Sequence, residues 1–164
     1  MIEMIVLDVD GCLTDGRIIY SEDGNETKAF NVKDGLAIRT WIRMGKEVAI
    51  ITGRESEIVK RRANELGIKH LFQAVGDKAS LIKKLSASLD IESENIAAIG
   101  DDLNDYKMLQ SVGHAFVPHN ASHYVKEVAD TILSAKGGEG AVREMVETIV
   151  RSNNEEDAFL AFWR

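Results

Sequence analysis

The sequence holds one cysteine and one proline in 164 residues. A single cysteine forbids an internal disulfide, so the fold does not depend on an oxidising compartment. No apolar run approaches the ~20 residues needed to cross a bilayer. Met1-Ile2-Glu3-Met4 leads straight into a strand pattern, with neither a basic leader nor a cleavage site. The cytoplasm is therefore the expected location, and no membrane partner is expected. Positive charge is also scarce: 20 Lys and Arg stand against 27 Asp and Glu, for a net charge of −7. A nucleic-acid binder needs a basic face to displace counterions, so nucleic acid is not an expected partner. Repeats, low-complexity stretches and linkers are missing too. What remains is 45% hydrophobic and 29% charged, the balance of one globular domain over residues 1–164 with a core of its own.

Apolar runs of strand length alternate with helical patterns. Met4–Leu7, Val48–Ile51 and Ile96–Ile99 are apolar on both faces, as in a parallel sheet buried between helices. Ala115–Val117 and Thr131–Leu133 are weaker strand candidates. Between them, 35–44, 56–66, 78–89 and 103–111 carry apolar residues at 3–4 spacing, and 139–151 closes the series. Alternating elements of this kind predict an α/β fold with a doubly wound, Rossmann-like parallel sheet. Asp23-Gly24, between Arg17–Tyr20 and Glu26–Phe30, predicts a β-hairpin over about 16–30. The apolar end, Ala158–Trp163, is expected to dock on this subunit or a neighbour, within a C-terminal helix and tail over about 137–164.

Four features fall just beyond predicted strand ends, the edge at which open α/β sheets bind ligands. Asp8-Val9-Asp10-Gly11-Cys12 follows the first strand, and its two carboxylates can converge when the strand ends in a tight loop. An Asp-rich loop or a simple cation site has the same look. Thr52-Gly53-Arg54 offers a hydroxyl and freed N–H groups before a helix, a phosphate cradle or an ordinary turn. Lys78 opens a helix, where its charge opposes the dipole unless an anion sits nearby. Gly100-Asp101-Asp102-Leu103-Asn104-Asp105 groups three acids at a strand-to-helix turn. Part of that group reads as helix capping, but Asp101 can share a hard cation such as Mg²⁺ with Asp8. Cys12 reads as a small, partly buried residue rather than a nucleophile.

Together, in this order, the four resemble the haloacid dehalogenase superfamily of phosphohydrolases along essentially the whole chain. The resemblance implies a Mg²⁺-dependent phosphatase with Asp8 as nucleophile and Asp10 as general acid/base. Thr52 and Lys78 would hold phosphoryl oxygens. Asp8, Asp10 through its backbone carbonyl, and Asp101 would hold the metal, with Asp102 and Asp105 in support. Only the hairpin lies where members carry a cap, so the chain resembles the capless class, which assembles as homotetramers whose neighbours wall the site.

Phe30–Gly35, Thr52–Arg54, Arg62–Ile68 and Gly137–Glu144 are further similar to phosphatases of an eight-carbon sugar acid destined for lipopolysaccharide. The implied partner is a small phosphorylated sugar acid. Its implied contacts are Lys33, Asp34, Gly53, Arg54, Arg62 and Arg143, the last reaching over a neighbour's site behind Gly137–Gly140. Arg54 and Arg62 stand eight apart, about two helical turns, and can share a face. Arg143 can equally pair with Glu139 or Glu147 on its own helix. Arg54 stands where relatives for a nine-carbon substrate carry an acid, whereas Glu139 replaces a basic residue of some eight-carbon enzymes; both substrates stay open. A non-catalytic assembly module, like the domain fused to sugar-acid cytidylyltransferases, is the alternative from another class. His119 and His123, four apart, form a remote transition-metal candidate without a third soft ligand. His70 and His114 read as structural or surface residues.

Overall fold

A computed structural model describes all 164 residues. Six short strands form one parallel sheet: β1 (Met4–Leu7), β4 (Glu47–Ile51), β5 (His70–Phe72), β6 (Ile96–Ile99), β7 (His114–Val117) and β8 (Thr131–Ile132), in the order β5-β4-β1-β6-β7-β8. The doubly wound sheet expected from the alternating pattern is therefore present. Two more strands, β2 (Ile19–Tyr20) and β3 (Glu26–Thr27), pair antiparallel as the hairpin. The ladder covers only two residues on each side, shorter than the expected 17–20 and 26–30.

The helices are α1 (Val32–Arg43), α2 (Glu57–Leu66), α3 (Lys78–Leu89), α4 (Tyr106–Gln110), α5 (His123–Lys126), α6 (Ala141–Ser152) and α7 (Glu156–Leu160). Side chains alternate along a strand, so each strand feeds two cores. Ile5, Leu7, Val48, Ile50, Ala97 and Ile99 meet residues of α1, α2, α6 and α7, including Trp41, Ala63 and Met145. Met4, Val6, Ala49, Ile51, Ile96 and Ala98 meet Ile82, Leu85, Met108 and Val125 on the other side. Burial on both faces explains why these strands read as continuous apolar runs.

Several expectations are corrected. β5 was not anticipated; its three residues, His70-Leu71-Phe72, are too few to show a period. The predicted helix 103–111 is a 3₁₀ turn, Leu103–Asp105, followed by α4. Asp102 and Asp105 bond back to backbone N–H groups there, which favours the tighter turn. α6 begins at Ala141 rather than at residue 139, because Gly140 holds φ +100° outside the helix. The C-terminal end docks on its own subunit: Phe159 is buried, Trp163 Nε1 donates to Thr40 Oγ1 at 3.2 Å, and the Arg43 guanidinium lies 4.5 Å from the Phe162 ring centre. His119 lies in the turn before α5, so it shares no helix face with His123, which pairs with Glu127. That removes the transition-metal candidate.

Candidate active site

The chain reverses its direction of sheet growth beside β1, and the C-terminal ends of β1, β4 and β6 open there into a crevice. A cleft of about 240 Å³ is lined by Asp8, Asp10, Gly16, Thr52, Gly53, Arg54, Asp101, Asp102 and Asn104, with no hydrophobic residue among them. Three segments far apart in sequence thus share one pocket.

Asp8 continues the sheet, its N–H donating to the Ile99 carbonyl at 3.2 Å. Val9 then accepts from the N–H groups of Cys12, Leu13 and Thr14, which folds the loop back on itself. Gly11 sits in the left-handed region at φ +93°, and a Cβ there would lie 1.9 Å from Asp101 Oδ2. The missing side chain is what lets the β6 loop bring Asp101 up to Asp8. Ligand atoms of Asp8, Asp101 and the Cys12 thiol lie within 4.8 Å of one another.

Lys78 reaches this cluster from the first position of α3. Its Nζ donates to Asp8 Oδ1 at 2.8 Å and to Asp105 Oδ1 at 2.6 Å. The side chains of Lys78, Asp8 and Asp105 are at most 5% exposed, so the cation is committed to two buried carboxylates. Asp77 caps α3 by accepting from Ser80 N, which offsets the unfavourable end-charge of Lys78. Asp105 also accepts from the backbone N–H of Asp101 at 2.9 Å and so fixes the β6 loop. Gly100 is required there, since a Cβ would meet the Asp105 Cβ at 2.5 Å. The Asp102 side chain accepts from Leu103 N at 2.8 Å and therefore acts as a cap, while its residue also lines the cleft.

The carboxylates of the cluster raise one another's pKa. Burial, then the nearby Asp105 charge, push Asp8 above the ordinary carboxylate range although Lys78 pulls the other way. Burial, then Asp8, Asp105 and Asp102, push Asp101 higher still. Two carboxylates this close resist joint ionisation. An all-oxygen pair of carboxylates with an open side suits Mg²⁺. The Cys12 thiol is buried and its pKa is raised, first by burial and then by the neighbouring acids, so the thiolate that a soft metal prefers is disfavoured.

Asp10 faces the hairpin. Its Oδ1 accepts from Lys28 Nζ at 2.5 Å, and its Oδ2 lies 3.8 Å from Arg54 Nε. Arg54 also donates to Tyr20 Oη at 3.2 Å and stands 3.6 Å from Glu26 Oε1. Thr52 is buried at the end of β4, with Gly53 beside it in the cleft. Lys28, Tyr20, Glu26 and Asn104 were not anticipated as site residues. The turn signal at Asp23-Gly24 announces a hairpin but not that it folds back over Asp10.

The remaining expected contacts lie outside this cleft in the single chain. Arg54 precedes α2, whereas Arg62 on α2 points at Gly35, within cation–π range of Phe30 and 3.5 Å from Glu65. The two arginines therefore do not share a face in the cleft. Lys33 is exposed at the start of α1. Arg143 pairs with Glu147 at 2.5 Å, one of the two pairings open to it in the sequence. Gly137 and Gly138 pack against the subunit's own Asp8 loop: Gly138 N donates to Cys12 O at 3.0 Å, and a Cβ on Gly137 would lie 1.8 Å from Gly11 O. In this chain the glycine segment braces its own cleft.

Asp34 has a different task. Its Oδ1 accepts from Arg143 N at 2.8 Å and caps α6, whose own Gly140 has no side chain to do so. Its Oδ2 is buried without a partner. Burial raises the Asp34 pKa from 3.8 to about 6, against the pull of the Arg143 N–H, Arg62 and Arg143. A carboxyl raised by folding stabilises while protonated. That contribution is complete below about 4 and is lost as pH climbs through about 6. Asp34→Asn keeps the acceptor and removes the charge. Between pH 4 and pH 7 the wild type should lose roughly 2–3 kcal/mol of unfolding free energy relative to this variant. Urea titrations at the two pH values measure it, and a constant difference would remove the assignment.

The chain belongs to the haloacid dehalogenase-like hydrolases, whose family model matches residues 70–146. Among its relatives, the 3-deoxy-D-manno-octulosonate 8-phosphate phosphatases of Yersinia pestis and Escherichia coli K12 are each 40% identical to it. They align over 94% and 95% of this chain and 82% and 83% of their own lengths. The corresponding crystal structure from Moraxella catarrhalis, in complex with magnesium ion, phosphate ion and 3-deoxy-D-manno-octulosonate, superposes with a TM-score of 0.95 at 44% identity, covering 99% of this chain and 94% of that one.

Proposed function

We propose that this chain is a Mg²⁺-dependent phosphatase that hydrolyses 3-deoxy-D-manno-octulosonate 8-phosphate to the free sugar acid and phosphate. The observation that carries the reading is the convergence of Asp8 and Asp101 in one cleft at the sheet edge, with buried Lys78 bonded to Asp8 behind them. An intact cluster of this kind argues against a purely structural module. Likeness to phosphatases of that substrate over nearly the whole chain supports the substrate assignment.

In this reading Asp8 and Asp101 would hold Mg²⁺, with the Asp10 carbonyl as a further ligand. The ion, when bound, would screen the charge of the phosphoryl group. Asp8 Oδ attacks phosphorus while the ester P–O bond breaks, and Asp10 gives its proton to the departing alkoxide. Lys78, fixed by Asp8 and Asp105, keeps positive charge beside the attacking oxygen and the phosphoryl oxygens. Thr52 offers its hydroxyl and Gly53 its N–H to those oxygens, the Thr52 N–H being spent on the Phe72 carbonyl. Water then attacks the phosphorus of the Asp8 acyl phosphate, Asp10 takes a proton from it, and the P–O bond to Asp8 breaks to release phosphate and regenerate the carboxylate.

Arg54 is the cleft's guanidinium and is 44% exposed at its side chain, free to exchange Tyr20 and Glu26 for a substrate carboxylate. Arg54→Ala should lower kcat/KM for the sugar-acid phosphate by about 10–100-fold, mostly through KM, and lower that for p-nitrophenyl phosphate far less. Equal losses would take the carboxylate role from Arg54. Arg62, Lys33 and Arg143 are left to a neighbouring subunit's site in a homotetramer. That assembly is supported by apolar side chains exposed on the hairpin and on α1, among them Ile18, Ile19, Tyr20 and Val32. No helix is long and apolar enough to cross a membrane, in keeping with a cytoplasmic enzyme.

The test is kcat/KM with Mg²⁺, and again with EDTA, for eight- and nine-carbon sugar-acid phosphates and hexose phosphates. The reading expects a preference for the eight-carbon substrate and silence in EDTA. A preference for hexose phosphates overturns it.

A further inference from the structure

The hairpin delivers more than a surface. Lys28 follows β3, and its side chain is only 1% exposed, although lysine is almost never buried without a partner. Its ammonium contacts two carboxylates, Asp10 Oδ1 at 2.5 Å and Glu26 Oε1 at 2.9 Å. Asp10 is 19% exposed at its side chain, and that opening faces the cleft. Of the two Asp10 oxygens, one is bonded to Lys28, and the other has only the longer approach of Arg54 at 3.8 Å. Besides these two cations, no side chain bonds the Asp10 carboxyl.

We propose that Lys28 is the positioning residue of the reaction: from the hairpin it fixes the Asp10 carboxyl so that Oδ2 faces the leaving oxygen of the substrate. This rests on the proposed reading of Asp10 as the proton donor. Glu26 anchors the ammonium from behind, and Tyr20 with Glu26 holds Arg54 alongside, so one two-stranded hairpin sets both the acid and the guanidinium. The hairpin thereby ties proton delivery to an element outside the Asp8 loop that packs against Asp10. Holding an acid in place is worth little where the leaving group departs without a proton, and much where it leaves as an alkoxide.

The test compares Lys28→Met, close in volume, with wild type and Lys28→Arg on two substrates. One is the sugar-acid phosphate, whose leaving group is an alkoxide; the other is p-nitrophenyl phosphate, whose leaving phenolate needs no proton. The reported constant is kcat/KM, which covers the steps through transfer to Asp8. Lys28→Met should lose about 100-fold on the sugar-acid phosphate and no more than about tenfold on p-nitrophenyl phosphate. Lys28→Arg should recover at least part of the difference. Lys28→Gln reads the same contrast if the methionine variant does not fold. Equal losses on both substrates, or a loss carried by KM alone, overturn the positioning role and leave the phosphatase reading intact. An inactive wild type would instead overturn the phosphatase reading.

Discussion

Asp8→Asn should abolish turnover, by on the order of 10⁴-fold or more, while leaving the fold intact. An amide has the shape of the carboxylate but cannot carry the phosphoryl group. It also removes a charge that the site holds at a cost: burial and Asp105 already push the Asp8 carboxyl toward its neutral form. The amide oxygen of the variant can still accept from Lys78. The unfolding midpoint at pH 8 should therefore match or exceed that of the wild type, even as phosphate release falls to background. Paired thermal melts and phosphate assays check both halves. A variant that keeps more than a few per cent of its activity removes Asp8 from the role of nucleophile.

The second large effect lies at Lys78. Its ammonium is the shared partner of two carboxylates that are themselves almost fully buried. Deleting one partner of a buried ion pair typically costs about 3–5 kcal/mol, because the charge left behind has no water to take its place. Lys78→Met should cost about that much in urea unfolding at pH 8 and should also reduce kcat to near background. Adding Asp105→Asn to Lys78→Met should return part of the stability, since one of the stranded charges is gone, but none of the activity. Stability recovered without activity separates the structural from the chemical role of the lysine. Full activity in Lys78→Met would show that the cation is not needed beside Asp8.

The sequence carried the sheet where burial made the strands apolar on both faces, as in Ile96–Ile99, and carried α3 from Lys78 to Leu89 without error. β5 escaped because His70–Phe72 is a partly exposed edge of three residues. Asp8, Asp10, Thr52 and Asp101 were legible as candidates because a chain leaving a parallel strand has only one edge on which to place them. Lys28 and Tyr20 were not, since their position depends on how the hairpin folds back over the loop rather than on strand order. The face that Arg62 could share with Arg54 is not formed. The spacing of Arg62 from Arg54 assumes one continuous helix face, but Arg54 belongs to the loop before α2, and Gly35 gives Arg62 a recess on α1 instead. Asp34 looked like a substrate contact in a motif and is held as a cap for α6, a pairing across 109 residues that no local pattern reveals.

The most direct measurement is chemical trapping of the enzyme during turnover. Wild-type protein mixed with Mg²⁺ and the sugar-acid phosphate is quenched within a turnover, reduced with borohydride and mapped by peptide mass spectrometry. An acyl phosphate is reduced to the alcohol, so homoserine should be found at position 8, and only when both Mg²⁺ and substrate are present. Active enzyme that yields no reduced residue, or one at a different aspartate, would contradict a phosphoryl group carried on Asp8.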